Sequence, residues 1–98
     1  NIVSLERIPA LHSKELDFVV YPNPTYTKQV QFLVGDIKSQ VIEMTVFDLS
    51  GKVVDQDILW LDDQGISNIV NCNFEPGIYL ISLTSQGKTR TKKLVVSN

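Results

Sequence analysis

Asp55, Asp57, Asp62 and Asp63 carry the most reactive-looking chemistry in this chain, since four carboxylates so close in sequence could offer hard oxygens to calcium. Their spacing does not match an EF-hand loop, and solvent-facing strand carboxylates plus a hairpin turn account for the same residues. Nucleophilic catalysis needs a nucleophile, a base and a group that orients the base. The chain has one His and one Cys, and no such set is visible. His12 has no second His or Cys at metal spacing and reads as a solvated side chain. Cys72 has no disulfide partner and reads as a small core residue at a strand end. No enzyme, metal or cofactor is expected. An exposed Trp60 could stack on a sugar face, but a lone indole is no platform, and burial against an opposite sheet is the expected fate of Trp60 and Tyr79. Asn23-Pro24-Thr25 has the outline of a glycosylation sequon with proline in the excluded position. Lys88, Arg90, Lys92 and Lys93 crowd one short stretch, whereas a nucleic-acid partner calls for a broader basic face with interleaved aromatics. A solvated strand face is the plainer reading, and no nucleic acid is expected.

The elements that must position these residues are β almost throughout. Apolar residues alternate over short runs, β-branched and aromatic types are plentiful, and turn residues recur about every ten positions. Seven strands are expected, near residues 17–21, 29–34, 42–48, 52–60, 66–72, 78–84 and 88–96. Asp48-Leu49-Ser50-Gly51, Asp62-Asp63-Gln64-Gly65 and Thr84-Ser85-Gln86-Gly87 each place Gly fourth after small or polar residues. That grammar predicts a type I turn followed by a left-handed glycine, closing a hairpin with a small bulge between antiparallel neighbours. Glu75-Pro76-Gly77-Ile78 predicts instead a type II turn with Gly77 at positive φ. The sixth strand has apolar residues on both faces and reads as central and nearly buried on both sides.

Seven short strands in 98 residues cannot all bury a face in one open sheet. The expected fold is all-β, an immunoglobulin-like antiparallel β-sandwich of about seven strands, without the Cys and Trp markers of antibody domains. One domain fits the length. Residues 17–98 form it, and residues 1–16 read as a linker or the end of a preceding domain. No apolar run approaches the about 18 residues of a membrane-spanning helix. The only Met is Met44, and the first ten residues lack the basic start and apolar run of a signal peptide. The chain is therefore expected to be a piece of a longer parent that carries its own export signal. Net charge is −2, acidic in the middle and basic at the end.

Four signposts remain, and their order is more specific than any one of them. Tyr21-Pro22-Asn23-Pro24-Thr25 comes first; its prolines bar helix and remove ladder donors, so the first strand ends there. Phe47-Asp48-Leu49-Ser50-Gly51-Lys52 follows, then Gly77-Ile78-Tyr79, then Lys92-Lys93-Leu94-Val95-Val96. Together they resemble the C-terminal sorting domain of proteins exported by the type IX secretion system. The resemblance covers residues 17–98.

The resemblance implies an address for an N-terminally attached passenger. A parent of this kind crosses the inner membrane by its own signal, folds in the periplasm and is delivered to an outer-membrane translocon. A membrane-associated sortase usually cuts in the linker, here between about residues 5 and 17, and joins the passenger to a surface glycolipid. The residues that carry the resemblance are Pro22, Asn23, Pro24, Asp48, Gly51, Lys52, Gly77, Tyr79, Lys92, Lys93, Leu94, Val95 and Val96. Of these, Lys92 and Lys93 are expected to be read by the translocon while residues 94–96 anchor. The alternative is an accessory immunoglobulin-like binding or spacer module of a secreted enzyme or adhesin, an architecture that fold alone does not separate from a sorting signal.

Overall fold

Period-two alternation becomes seven strands in the computed structural model, which describes residues 16–35 and 40–98. They are β1 (Asp17–Tyr21), β2 (Gln29–Gly35), β3 (Val41–Phe47), β4 (Val53–Trp60), β5 (Val70–Asn71), β6 (Gly77–Ser85) and β7 (Lys88–Val96). Two antiparallel sheets pack face to face, one ordered β1-β2-β5 and the other β4-β3-β6-β7. The alternation sets which side chains meet between them. Phe18 and Val20 of β1 and Val30, Phe32 and Val34 of β2 face Ile42, Met44 and Val46 of β3, Tyr79, Ile81 and Leu83 of β6, and Leu94 and Val96 of β7. Side chains buried this fully contribute about 1.5–3 kcal/mol each, so the facing rows dominate stability. The expected linker lies outside the described residues except for Leu16, which is buried in the core.

The turn at Asp48–Gly51 has the expected form: Gly51 N–H donates to Asp48 O at 3.0 Å, Asp48 N–H donates to Lys52 O at 2.9 Å, and Gly51 sits at φ 92°. The Asp62–Gly65 turn repeats that pattern, with bonds of 3.0 and 2.8 Å. A Cβ on Gly65 would run into the Val34 carbonyl oxygen, so glycine is required there for space as well as for φ. The third turn differs from expectation. Ser85 pairs with Lys88, and Gln86 and Gly87 both have positive φ, 53° and 81°. That is a two-residue type I′ turn, whose twist matches the flanking strands without a bulge.

Three further expectations are corrected. Gly77 is not in the left-handed region; it opens β6 opposite Val96, so no type II turn forms there. Strand β6 is central, but only its inner face is buried, and Ile78 and Leu80 are exposed because the sandwich has two layers and none of the described residues covers its outer face. The strand expected over 66–72 shrinks to Val70–Asn71. The chain there changes sheets: Ser67 still bridges to Leu61 beside β4, while Ile66 bridges to Leu33 of β2. Buried Ser67 makes the crossing possible, since its hydroxyl accepts the Phe32 N–H at 2.9 Å and donates to Asn68 O at 2.7 Å.

Two of the sheet edges, those of β4 and β1, are protected by side-chain oxygens. Along the open edge of β4, Asp55 accepts the Gln56 N–H at 2.9 Å, Asp57 accepts the Ile58 N–H at 2.8 Å, and Asn68 accepts the Trp60 N–H at 2.9 Å. On β1, Asp17 accepts the Phe18 N–H at 2.8 Å, and Pro22 has no N–H to offer. Unpaired edge donors are templates for pairing with other chains, so these carboxylates and amides blunt them.

Candidate functional site

The first three signposts and the end of the fourth, spread over 76 positions from Tyr21 to Val96, meet at one end of the sandwich. Strand β3 ends there at Phe47, β6 begins there at Gly77, and β7 ends there at Val96; Phe47 lies opposite Leu80, and Gly77 opposite Val96. The first signpost leaves β1 through two cis peptide bonds, Tyr21-Pro22 and Asn23-Pro24, and turns across to the other sheet. It lands on the outward edge of β7.

Asn23 makes that landing specific. Its Nδ2 donates to Lys93 O at 2.8 Å and its Oδ1 accepts the Val95 N–H at 3.0 Å, so one side-chain amide substitutes for a neighbouring strand. Thr25 continues the contact: its N–H donates to Val95 O at 2.9 Å, its carbonyl accepts the Ser97 N–H at 2.8 Å, and it forms a parallel bridge with Val96. Thr25 is fully buried, with its hydroxyl donating to Gln29 O at 2.9 Å. Thr25 thus belongs to the site, although it is not among the residues that carry the resemblance. A β-branched residue after a Pro-bounded strand end was the available signal, but its partner lies some seventy residues away.

The second signpost is a self-contained turn. Asp48 Oδ1 accepts the Ser50 hydroxyl at 2.6 Å, the Ser50 N–H at 2.9 Å and the Lys52 N–H at 3.0 Å. The Ser50 hydroxyl bond first, then the Lys52 N–H, holds the Asp48 carboxyl below its ordinary range. Gly51 and Lys52 are exposed beside it. The third signpost is a tyrosine corner, in which the Tyr79 hydroxyl donates to Glu75 O four residues upstream. Its ring packs at 4.4 Å on Phe74 and passes over Gly77. Burial, followed by the charges of Glu75 and Asp48, raises the phenol above its ordinary value. Tyr79→Phe removes this bond while keeping the ring, and is expected to lower unfolding free energy by about 1 kcal/mol, read from a denaturant midpoint.

The fourth signpost divides between the two faces of β7. Leu94 and Val96 point inward and are 0% and 2% exposed, so they anchor in the core of this domain. Val95 is half-buried on the outer face and Lys93 stands exposed there beside Leu80. Lys92 points inward at the margin of the sandwich. Its Nζ lies 3.1 Å from Asp17 Oδ1, where Arg90 Nε also approaches to 3.6 Å, and 5.6 Å from the Phe18 ring centroid. This ion pair explains why Arg90 and Lys92 share a face with Leu94 and Val96 without a bulge. At Asp17 partial burial pushes the carboxyl up, but the Lys92 and Phe18 hydrogen bonds and the two cations prevail and hold it below 3.8. Its stabilising contribution is present above the ordinary carboxylate range and is lost as pH falls through the lowered value. Half-exposure of both partners keeps it small.

Residues outside the signposts take plainer places. Trp60 is 62% exposed, against the expected burial, because it lies on the outer face of edge strand β4 opposite Val41. Cys72 is buried in the core, which pushes its thiol up. Asp62 is occupied by the N–H groups of Gln64 and Ile66 in its own turn. Among the described residues no three of His, Cys, Asp or Glu gather to hold a metal, and no helix is long and apolar enough to cross a membrane.

Compared with known proteins, a family model described as a secretion system C-terminal sorting domain matches residues 19–97. No curated protein matches the chain.

Proposed function

Because the chain belongs to the secretion system C-terminal sorting domain family, we propose that it carries an N-terminally attached passenger through the periplasm to the type IX outer-membrane translocon, where a sortase cuts between about residues 5 and 17. Membership makes the module a type IX sorting signal of a non-catalytic family, with export to the cell surface or medium as its consequence. The match over residues 19–97 carries the reading. The end of the sandwich where Pro22, Asn23, Pro24, Asp48, Gly51, Lys52, Gly77 and Tyr79 meet the last strand is its proposed recognition region.

The experiment is surface display of an inert fluorescent passenger, given an N-terminal export signal and fused to this chain, in hosts with and without a working type IX translocon. Translocon-dependent surface fluorescence is expected. Periplasmic retention of a folded fusion in both hosts overturns the reading. Within the same assay, alanine at Lys92 and Lys93 together is expected to leave the melting temperature within a few degrees, since both side chains are at least partly exposed. Surface signal from that variant is expected to fall, and undiminished export removes the two lysines from recognition.

Exposed Trp60 favours one second reading, a sugar-binding accessory module. Saturable quenching of its fluorescence by oligosaccharides is the measurement that supports it.

A further inference from the structure

Among the described strands β7 has a neighbour on one side only, so alternate residues turn their backbone groups away from β6. The bonds from Asn23 and Thr25 identify these as Lys93, Val95 and Ser97, and period two extends the series back to Thr91 and Thr89. The series is closed unevenly. Val95 and Ser97 have partners for their N–H groups, whereas no described group reaches the outward N–H of Thr89, Thr91 or Lys93. Three consecutive open donors make the longest such run on any described edge. On β4 the equivalent donors are occupied by Asp55, Asp57 and Asn68, and on β1 the open position at Val20 is isolated between capped Phe18 and Pro22.

The charge around this gap is one-sided. Strand β7 holds Lys88, Arg90, Lys92 and Lys93 and no carboxylate. Asp17 serves both Arg90 and Lys92, so one negative charge faces two positive ones, and Lys93 has no ion-pair partner among the described residues. A second copy offering the same edge would bring this basic run against itself, and like charges opposite one another destabilise a strand pair.

We propose that the outward edge of β7 from Thr89 to Lys93 is a docking edge that accepts an extended acidic segment of a protein in the sorting machinery as an added strand. The proposal rests on the sorting reading above. Main-chain bonds to Thr89, Thr91 and Lys93 supply affinity, and the basic side chains select an acidic strand and set its register. Asn23 and Thr25 set the limit of the added strand, because beyond Lys93 the edge is occupied.

The test measures binding of the full chain to detergent-solubilised type IX translocon. Thr91→Pro deletes a donor that none of the described residues uses, at an edge position where proline is tolerated. Thr91→Val keeps the donor and loses only the hydroxyl contact to Ser82. Thr91→Pro is expected to bind at least about tenfold more weakly than wild type, with Thr91→Val close to wild type. Equal binding by both overturns the docking edge while leaving the sorting function standing. If Thr91→Pro fails to melt cooperatively, Lys93→Glu decides: weaker binding with a reduced dependence on salt supports the proposal, and unchanged binding overturns it. Absence of wild-type binding overturns the sorting reading, and this inference with it. A dimer abolished by Thr91→Pro also overturns it, because the occupant is then a second copy.

Discussion

Leu94→Ala lowers the unfolding free energy by about 2–5 kcal/mol, the range for truncating a leucine in a packed core. Leu94 is fully buried opposite Tyr79 on the inner face of β7, so the substitution leaves a hole at the seam between the sheets. Against a total stability of about 5–15 kcal/mol for a typical domain, a large part of the folded margin disappears. The measurement is denaturant unfolding, with a midpoint that falls at unchanged slope. Lys93→Ala, one position earlier and exposed, is expected to stay within about 0.5 kcal/mol of wild type. The pair separates two meanings of the terminal signpost. Lost export of Leu94→Ala accompanies lost folding, whereas lost export of Lys93→Ala reports recognition. A Leu94→Ala protein as stable as wild type contradicts the placement of β7 in the core.

Asn23→Ala has the second-largest effect because it breaks two bonds at once, to Lys93 O and from the Val95 N–H. Each contributes about 0.5–1.5 kcal/mol net, and their exposure favours the lower part, so a loss of about 1–2 kcal/mol is expected. Hydrogen exchange reads the effect locally, with the Val95 amide losing about tenfold in protection and Ile81 in the core strand changing by no more than the global loss. Asn23→Asp keeps the acceptor for Val95 but turns its second oxygen toward the Lys93 carbonyl, so it restores only part of the stability. Unchanged Val95 protection in Asn23→Ala contradicts the clamp.

Strand positions were legible where one face had to be buried. Gln29–Gly35 and Val41–Phe47 alternate cleanly, with Val30, Phe32, Val34, Ile42, Met44 and Val46 buried. The glycine-fourth pattern located three turns but could not distinguish a bulged type I turn from the type I′ turn at Gln86-Gly87, since both accept glycine last. The sheet change near Ser67 was hidden for a different reason. A buried serine in a strand-like run carries no local sign that its hydroxyl will replace a ladder bond. Trp60 was misplaced because propensity favours aromatics in strands without specifying which face they take.

Order and composition picked out the signpost residues, yet what joins them was not legible. Asn23 and Lys93 lie seventy positions apart, and nothing in Tyr-Pro-Asn-Pro announces an amide that completes a distant strand edge. Lys92 and Lys93 look equivalent in sequence. Only the opposite sheet, which brings Asp17 under one face of β7, makes Lys92 an internal partner and Lys93 an external one.

The carboxylates along β4 also govern how the molecule behaves in crowds. When two copies collide sideways at that edge, Asp55 meets negative charge and the Gln56 and Ile58 donors are already engaged. The encounter offers repulsion and no bonds to exchange. Colloidal stability at high concentration is therefore built into the edge itself, through short-range chemistry that salt weakens only in its charge repulsion and leaves intact in its occupied donors.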